Sequence, residues 1–259
     1  MKKMMKVLMA AAVLATALTG CRKATDGKFV LGLDASFPPL GFTEANGDIV
    51  GYDIDLAKEV CKRLNKEFVA KPINWEAKEM ELSSGSIDCI WNGFTINEKR
   101  LEEMAFTTPY LNNDQVLVVR KDSDIKSLKD AKGKVIGVQA GSSAQEAIEA
   151  NAEFNASVKK VALYEENLTA LTDLEVGGVD AVVMDSVVAN YTIVTSGKPL
   201  VVVDESLAKE AYGIGFRKDE KGQALRDAVQ KTLEEMANDG TIAAISTKWF
   251  GTDLNVIGK

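Results

Sequence analysis

Apolar residues recur along the chain in two patterns, and each pattern predicts a different secondary-structure element. Short, nearly continuous apolar runs that end at a polar or turn residue are typical of buried strands, whereas apolar residues three or four positions apart are typical of helices with one buried face. Strands are predicted at 29–34, 49–53, 68–75, 87–91, 115–121, 134–139, 158–164, 179–185, 200–204 and 212–219. Helices are predicted at 53–66, 76–85, 97–104, 140–152, 165–178, 186–196, 223–240 and 241–250.

The predicted strands and helices alternate in both halves of the chain, on either side of a linker at 122–133. Such an order favours sheets that are mostly parallel and covered by helices. The same strand, turn and helix order is used twice, although no strong sequence repeat is visible. The chain is long enough for one large core or, more naturally, two lobes.

The first 20 residues predict a secretory signal peptide. Lys2, Lys3 and Lys6 give a positive start, and the apolar stretch 7–18 is too short to span a bilayer comfortably. The stretch ends in Leu-Thr-Gly-Cys, and small residues before a cysteine are similar to the lipobox of bacterial lipoproteins, where that cysteine becomes the lipidated first residue. Cys21 is therefore the expected lipidation site. The alternative is an ordinary signal peptide followed by an unrelated cysteine.

Charge and composition exclude several classes of function. The whole chain has a formal charge of −7, and removing 20 residues with three lysines and no acid leaves 239 residues with a charge of −10. Such an acidic chain has no positive electrostatic potential to attract phosphates, which argues against nucleic acid as a partner. The absence of histidine excludes Ser-His-Asp and Cys-His catalysis and any histidine-rich metal site. No cofactor and no metal ion are expected.

The three cysteines leave two for the fold if Cys21 carries lipid. Cys61 is predicted on the apolar face of a helix and Cys89 inside a strand. A disulfide between them is compatible with an exported protein, and two buried thiols are at least as compatible with these positions.

Polar and flexible residues follow four of the predicted strands. In open α/β sheets ligands bind at the carboxyl ends of strands, where loops open onto helix N-termini. These stretches supply a cation, an anion, hydroxyls and free backbone N–H groups, and none of them sets a catalytic base beside a nucleophile. They contain Asp34 and Phe37, then Gly93, Thr95 and Arg100, then Gly141, Ser142 and Ser143, and finally Asp185.

Six stretches in series resemble one protein family. They read DASFPPLGF, GYDIDLAKEV, GFTINEKRLEEMAFTTPY, SLKDAKGKVIGVQAGSSA, VDAVVMD and MANDGTIAAISTKWFG. They are similar to the polar amino-acid-binding lipoproteins of bacterial ABC importers, the family-3 extracellular solute-binding proteins, and the series covers essentially all of the chain after the signal. The resemblance implies an α/β fold of the two-lobe periplasmic-binding-protein type (type II), with two hinge strands near 115–121 and 212–219. It implies a tether at 21–26, a first lobe at 27–114 and 212–259, and a second lobe at 115–211.

The resemblance also implies how a ligand carboxylate is held. Arg100 matches the family arginine that pairs with the α-carboxylate, and a planar guanidinium suits such a partner. The segment 140–144 matches the loop whose N–H groups grip the same carboxylate from the other lobe, with Ser143 as the first and Ser142 as the second contact. The alternatives are a solvated helix arginine and an ordinary helix N-cap.

For the ligand ammonium, the resemblance implies three acceptors. They are the hydroxyl of Thr95, the carbonyl of Gly93 and, from the other lobe, the carboxylate of Asp185. The alternatives are a turn threonine, a glycine chosen for backbone freedom and an aspartate that caps the following helix. An α-amino acid carries both charges on one carbon, which explains a hydroxyl and a guanidinium on the same rim.

Recognition of the ligand side chain is assigned by the same resemblance. Phe37 matches an aromatic residue that stacks on the ligand, Trp75 matches an apolar wall, and both also suit a core. Asp34 matches an acid that reaches the far end of long polar ligands, so a basic or amide ligand is favoured. Gln139 is expected to face the pocket, and Asn92 is a weaker candidate on its rim.

These observations together predict an extracytoplasmic, lipid-anchored receptor that captures a free polar L-amino acid and delivers it to an ABC permease and its ATPase. The protein is expected to be a monomer that meets the membrane only through its lipid, and not an enzyme. Two alternatives remain open at this point. One is an extracytoplasmic dehydratase on the same fold, with Asp34 or Glu44 as its acid. The other is an amino-acid sensor module.

Overall fold

The computed structural model describes residues 27–259. The predicted signal peptide and tether, and with them Cys21, lie outside the described residues. The strands are β1 Lys28–Leu33, β2 Ser36–Phe37, β3 Gly41–Thr43, β4 Ile49–Val50, β5 Glu67–Pro72, β6 Cys89–Thr95, β7 Met104–Phe106, β8 Leu111–Arg120, β9 Val135–Gln139, β10 Lys160–Tyr164, β11 Ala181–Asp185 and β12 Leu200–Arg217. The helices are α1 Tyr52–Arg63, α2 Lys78–Ser83, α3 Glu98–Glu103, α4 Ser143–Ala150, α5 Ala152–Ser157, α6 Asn167–Val176, α7 Ser186–Ser196, α8 Glu220–Asn238 and α9 Thr241–Phe250.

The main sheet consists of two parallel half-sheets joined by a central pair of strands. Its order is β10-β9-β11-β8-β12-β6-β1-β5, with β7 paired to β12. Strands β5, β1 and β6 pair in parallel and form the first half-sheet. Strands β10, β9 and β11 pair in parallel and form the second half-sheet. The central pair, β8 and β12, carries the chain from the first half to the second and back.

The expectation of mostly parallel pairing holds within each half-sheet and is wrong at the centre. There β8 is antiparallel to β11 and to β12, and β12 is antiparallel to β6. The reason is topological, because one central strand leaves the first half and the other returns to it. Two strands that cross the same boundary in opposite directions pair antiparallel.

Strand β12 is longer than the apolar pattern predicts. The strands expected at 200–204 and 212–219 are one strand, Leu200–Arg217, with register shifts between Val202 and Ala208. Its middle is polar and has no apolar alternation, so no burial signal marks a strand there. The backbone pairs instead with the equally polar start of β8, which begins at 111 rather than 115.

The helices bury the faces that the sequence rhythm assigns to them. Helix α1 packs Ile54, Ala57, Val60 and Cys61 into the largest apolar cluster, against the first half-sheet. Cys89 lies in the same cluster, and both thiols are free. The structure therefore has two buried thiols rather than a disulfide, and burial raises the pKa of Cys61 to about 12.

Candidate functional site

A cleft opens between the two half-sheets, at the carboxyl ends of β1, β6, β9 and β11. The space not filled by atoms, including solvent at the mouth of the cleft, is about 280 Å³. All ten ligand-contact residues predicted from the sequence line it, together with Asn92, which sequence reasoning rated lower. The lining consists of Asp34, Phe37, Trp75, Asn92, Gly93, Thr95, Arg100, Gln139, Ser142, Ser143 and Asp185.

A bend in β6 positions Gly93 and Thr95 on the first side of the cleft. Gly93 has a φ of 58°, in the left-handed region that favours glycine, and a Cβ there would lie 2.6 Å from Leu40 Cδ1. Its N–H donates to Asp53 Oδ2 at 2.8 Å, and the hydroxyl of Tyr110 donates to the same oxygen at 3.0 Å. Burial raises the pKa of Asp53 to about 7. A fully buried carboxyl on α1 therefore holds the bend that aims the end of β6 into the cleft.

Arg100 is buried with part of its hydrogen-bonding capacity unused. Helix α3 begins at an Asn97 N-cap, whose side chain accepts from Arg100 N at 2.8 Å. Arg100 is 3% exposed, and its guanidinium lies 4.4 Å from the Phe94 ring centroid and donates from Nη1 to Thr95 O at 2.8 Å. Within residues 27–259, Nε and Nη2 have no hydrogen-bond partner.

This burial makes Arg100 a strong anion-binding candidate. Its nearest opposite charge is Glu146, whose Oε2 lies 3.6 Å from Nη2. Burial lowers the pKa of Arg100. Leaving a buried charged donor unpaired costs more than an ordinary missing hydrogen bond. The sequence alternative of a solvated helix arginine is therefore wrong, and the guanidinium fits a carboxylate placed in the cleft.

The second side of the cleft is formed by the start of α4. Ser142 is the N-cap of this helix, and its hydroxyl accepts from Gln145 N at 3.1 Å and donates to Gln139 O at 2.7 Å. Ser143 is the first helical residue, and its Oγ lies 3.0 Å from Thr95 Oγ1 on the opposite side. Ser142 thus caps the helix and lines the cleft at once, so the two sequence readings of this residue are compatible.

Asp185 ends β11 and faces Arg100 from the other half-sheet. Its Oδ1 accepts from Asn113 Nδ2 at 2.7 Å, Gln115 Nε2 at 2.9 Å and Tyr212 OH at 2.7 Å. Burial and the nearby Glu210 raise the pKa of Asp185 to about 7. No side-chain capping bond to α7 is present at this position, so the helix-cap alternative is not supported. Because burial and a neighbouring acid disfavour the ionised carboxylate, a cation beside Asp185 would stabilise it.

The central strands supply residues that sequence reasoning missed. They are Asn113 and Gln115 on β8 and Glu210 and Tyr212 on β12. Asn113 and Glu210 carry no motif and lie outside the predicted strands, whereas Gln115 and Tyr212 begin predicted strands that were not marked as contacting the cleft. The only signal was the polar run at 112–115, set directly before an apolar strand at the boundary between the halves.

A chain of amide hydrogen bonds forms the far end of the cleft. Gln139 Nε2 donates to Asp34 Oδ2 at 2.7 Å and to Glu165 O at 3.0 Å, and Asn167 Nδ2 donates to Gln139 Oε1 at 3.0 Å. Asn92 Oδ1 accepts from Asp34 N at 3.0 Å. Burial raises the pKa of Asp34, with smaller upward contributions from Glu166 and Glu165. This end is therefore acidic and suits a positively charged or hydrogen-bond-donating group.

Two aromatic residues complete the wall. Phe37 and Trp75 are 5% and 8% exposed, and each also belongs to an apolar cluster. Trp75 contacts the Phe94 ring edge to face at 5.8 Å between centroids. Both residues therefore serve the core and the cleft together.

Several contacts cross the cleft and hold the two sides together. Lys78 Nζ donates to Gly141 O at 2.8 Å, and Asn97 Nδ2 donates to Glu146 Oε2 at 2.8 Å. The bonds between Gln139 and Asp34 and between Thr95 and Ser143 also cross it. The described conformation is therefore a closed one.

No group of three or more Cys, Asp or Glu side chains within residues 27–259 could hold a metal ion. In the same part of the chain, no helix has the length and apolar character needed to cross a membrane.

The fold and the cleft define a class of two-lobe α/β binding proteins, and sequence comparison identifies the family. The chain belongs to the bacterial extracellular solute-binding proteins, family 3, which it matches over residues 29–252. The family membership predicted from the sequence motifs is thereby confirmed.

Curated relatives align with nearly the whole chain. L-cystine-binding protein TcyJ of Escherichia coli (strain K12) is 31% identical over 230 residues, which are 88% of this chain and 84% of that protein. ABC transporter arginine-binding protein 1 of the same organism is 34% identical over 251 residues, 95% of this chain and 99% of that protein.

A solved structure supports the fold class. The substrate-binding protein of an ABC uptake transporter from Streptococcus pneumoniae, with bound histidine, is similar with a TM-score of 0.85 and 36% identity, covering 90% of this chain and 96% of that one. The predicted two-lobe periplasmic-binding-protein fold is confirmed.

Proposed function

We propose that the protein captures a free polar L-amino acid outside the cytoplasm and delivers it to an ABC import permease and its ATPase. One observation carries this proposal: a buried Arg100 with unused donors faces a buried Asp185 across a small cleft. Opposite charges that line one small cleft match the carboxylate and ammonium of an α-amino acid. The names of the relatives, which bind cystine, arginine and histidine, agree with this ligand class.

The test is a ligand screen with one site variant. Purified protein is heated with each of the twenty L-amino acids, cystine and ornithine, because a ligand that binds only the folded state raises the melting temperature with dose. Calorimetry then compares Arg100→Ala with Lys99→Ala, an exposed neighbour on the same helix. Charge-assisted hydrogen bonds contribute about 1.5–3 kcal/mol each, so Arg100→Ala should weaken binding by roughly 100-fold or more while Lys99→Ala should not. Binding by Arg100→Ala within a few-fold of wild type would contradict the proposal.

The ligand class proposed is a basic or amide amino acid. Asp34 lines the cleft, with Glu165 and Glu166 close enough to raise its pKa further. An acidic side chain placed there would meet like charges, whereas a cationic one would offset the cost of burying Asp34. The aromatic side chains of Phe37 and Trp75 offer apolar walls for the stem of such a ligand.

We propose that the lobes have the boundaries predicted from the sequence, 27–114 with 212–259 and 115–211. Both boundaries fall within the central pair, where the polar residues of β8 meet those of β12. Ligand would then stabilise the closed form relative to an open one. Small-angle scattering should give a smaller radius of gyration with ligand than without it, and an unchanged radius would argue against closure.

We also propose that Cys21 carries the lipid that holds the protein at the membrane. The support is the sequence alone, namely the signal-like segment and its Leu-Thr-Gly-Cys ending. Growth with labelled palmitate should label the wild-type protein, and Cys21→Ser should lose the label and leave the membrane fraction. Label retained in Cys21→Ser would disprove the assignment.

We propose further that the protein acts as a monomer and binds its ligand without converting it to a product. The named relatives are binding proteins. In this proposal Asp34 and Asp185, the cleft carboxyls whose pKa burial raises, bind the ligand. Incubation with prephenate or arogenate tests the dehydratase alternative, since formation of product would favour an enzyme. Size-exclusion chromatography with light scattering tests the monomer.

A further inference from the structure

Glu210 lies on β12, where both half-sheets meet the central pair of strands. Its Oε2 accepts from Thr95 Oγ1 at 2.8 Å and from Gln115 Nε2 at 2.9 Å. Ser143 Oγ and Asn113 Nδ2 approach the same oxygen at 3.3 Å. Donors from the first half-sheet, from α4 and from β8 therefore converge on one carboxylate.

The chemistry of a hydroxyl makes this contact directional. A threonine hydroxyl has one proton to donate and two lone pairs to accept with, whereas a carboxylate only accepts. Once Thr95 gives its proton to Glu210, the lone pairs are what its oxygen presents to other partners. Thr95 is also one of the groups that line the cleft.

The side-chain amide of Gln115 is oriented in the same way, with its N–H donors directed at carboxylates. Gln115 Nε2 donates to Asp185 Oδ1 and to Glu210 Oε2, while Gln115 Oε1 has no partner among residues 27–259. The two carboxylates thus draw nearby donors toward themselves. What remains for a ligand on this side is a set of acceptors, which suits a group with several protons.

We propose that Glu210 is a positioning residue that fixes Thr95 as an acceptor, so that the cleft selects an α-ammonium over an α-hydroxyl group. An ammonium has three N–H donors for Thr95, the Gly93 carbonyl and Asp185, while an α-hydroxyl has one donor and two lone pairs. Facing acceptors with lone pairs is unfavourable, so α-hydroxy acids are excluded although their carboxylate fits Arg100. This inference rests on the proposed function and adds the origin of its head-group selectivity.

The test measures selectivity rather than affinity alone. The probes are the amino acid that the wild-type protein binds most tightly in the screen and its α-hydroxy acid counterpart. Glu210→Gln keeps the size of the side chain but adds a donor, which lets the Thr95 hydroxyl turn its proton toward the cleft. We expect at least tenfold weaker binding of the amino acid and little change for the hydroxy acid, so that their affinity ratio falls at least fivefold.

The matched control is Asp204→Asn, which removes an exposed carboxylate from the same strand. It should leave both affinities and the melting temperature of the empty protein unchanged. A merely structural Glu210 would make Glu210→Gln weaken both ligands equally, and that result would overturn the inference, as would an unchanged ratio with unchanged affinities. A wild-type protein that binds no amino acid would instead overturn the proposed function itself.

Discussion

Gln139 and Asp34 join the two sides of the cleft through a 2.7 Å hydrogen bond, although they follow strands in opposite half-sheets. The other carboxylate oxygen of Asp34 accepts from Ser36 N at 2.8 Å. Burial nevertheless raises the pKa of Asp34, so two hydrogen bonds do not fully offset the loss of water. The contact therefore completes the closed cleft and leaves an acid that a cationic ligand group would stabilise.

Removing this charge should change which ligands are preferred. In Asp34→Asn we expect the basic amino acids to bind about tenfold to a hundredfold more weakly, the scale of one charge-assisted contact, and amide ligands to lose far less. Calorimetry with arginine, histidine and glutamine measures the change. The control is Glu44→Gln, which alters an exposed acid whose side chain makes no hydrogen bond within the described range. Equal losses for basic and amide ligands would contradict an electrostatic role of Asp34.

Ligand binding should release a proton at mildly acidic pH. In the closed cleft, burial and Glu210 raise the pKa of Asp185 to about 7, so without a ligand cation this carboxyl holds a proton below that pH. A ligand ammonium favours the ionised carboxylate, and proton and ligand therefore compete. Affinity should rise by up to about tenfold per pH unit between about pH 5 and pH 7 and then level off.

Calorimetry in two buffers of different ionisation enthalpy should detect this proton at about pH 6 and lose it at about pH 8.5. Asp185→Asn should bind more weakly and should flatten the pH dependence. An affinity that is flat across this range in the wild-type protein would mean that Asp185 is already ionised in the empty cleft.

Much of the fold could be predicted from the spacing of apolar residues, because the burial of one face of each element produces that spacing. Strand 179–185 and helix 186–196 were predicted almost to the residue, and they are β11 and α7. The cleft residues were found differently, by a rule about strand ends and by motif resemblance. Arg100 and Asp185 line the same cleft only because their two half-sheets face each other. A pattern of neighbouring residues cannot predict this arrangement, since it depends on the tertiary fold.

The centre of the molecule was the least predictable region. Glu210 and Asn113 lie in the polar parts of β12 and β8, where backbone pairing and side-chain hydrogen bonds take the place of apolar contacts. Such segments show neither alternation nor a turn signature, so a sequence reading takes them for loops. The mixed sheet has the same origin, since pairing direction at the crossing depends on the path of the whole chain.

The bend at Gly93 should tolerate no side chain. Gly93→Ala places a Cβ 2.6 Å from Leu40 Cδ1 and 3.0 Å from Phe37 Cε1, in addition to the cost of a positive φ. We expect the free energy of unfolding to fall by about 2–4 kcal/mol, from backbone strain plus overpacking, and ligand affinity to fall as well.

Gly47→Ala separates these two causes. Gly47 also has a positive φ, of 89°, but nothing lies within 4 Å of its added Cβ. This variant should lose only about 1 kcal/mol in denaturant unfolding and should bind ligand normally. Similar losses in both variants would show that the space around Gly93 is not limiting.

The contact of Lys78 with Gly141 should control how long a ligand stays bound. Lys78 is 2% exposed, pairs with Glu79 at 3.0 Å and donates across the cleft to Gly141 O at 2.8 Å, so it stabilises the closed form directly. Lys78→Met keeps the apolar stem and removes the donor. Because a hydrogen bond from a charged group contributes about 1.5–3 kcal/mol, ligand should dissociate roughly tenfold faster or more.

Association should change little in Lys78→Met, since a ligand enters the cleft before this contact forms. Stopped-flow fluorescence can follow both rates, because Trp75 lines the cleft and its surroundings should change when the lobes close. Lys58→Met, which alters an exposed lysine of α1, is the control and should leave both rates unchanged. If dissociation from Lys78→Met matched that from wild type, the bond to Gly141 would not be what holds the lobes shut, and the remaining cross-cleft bonds, among them Thr95 with Ser143, would carry closure.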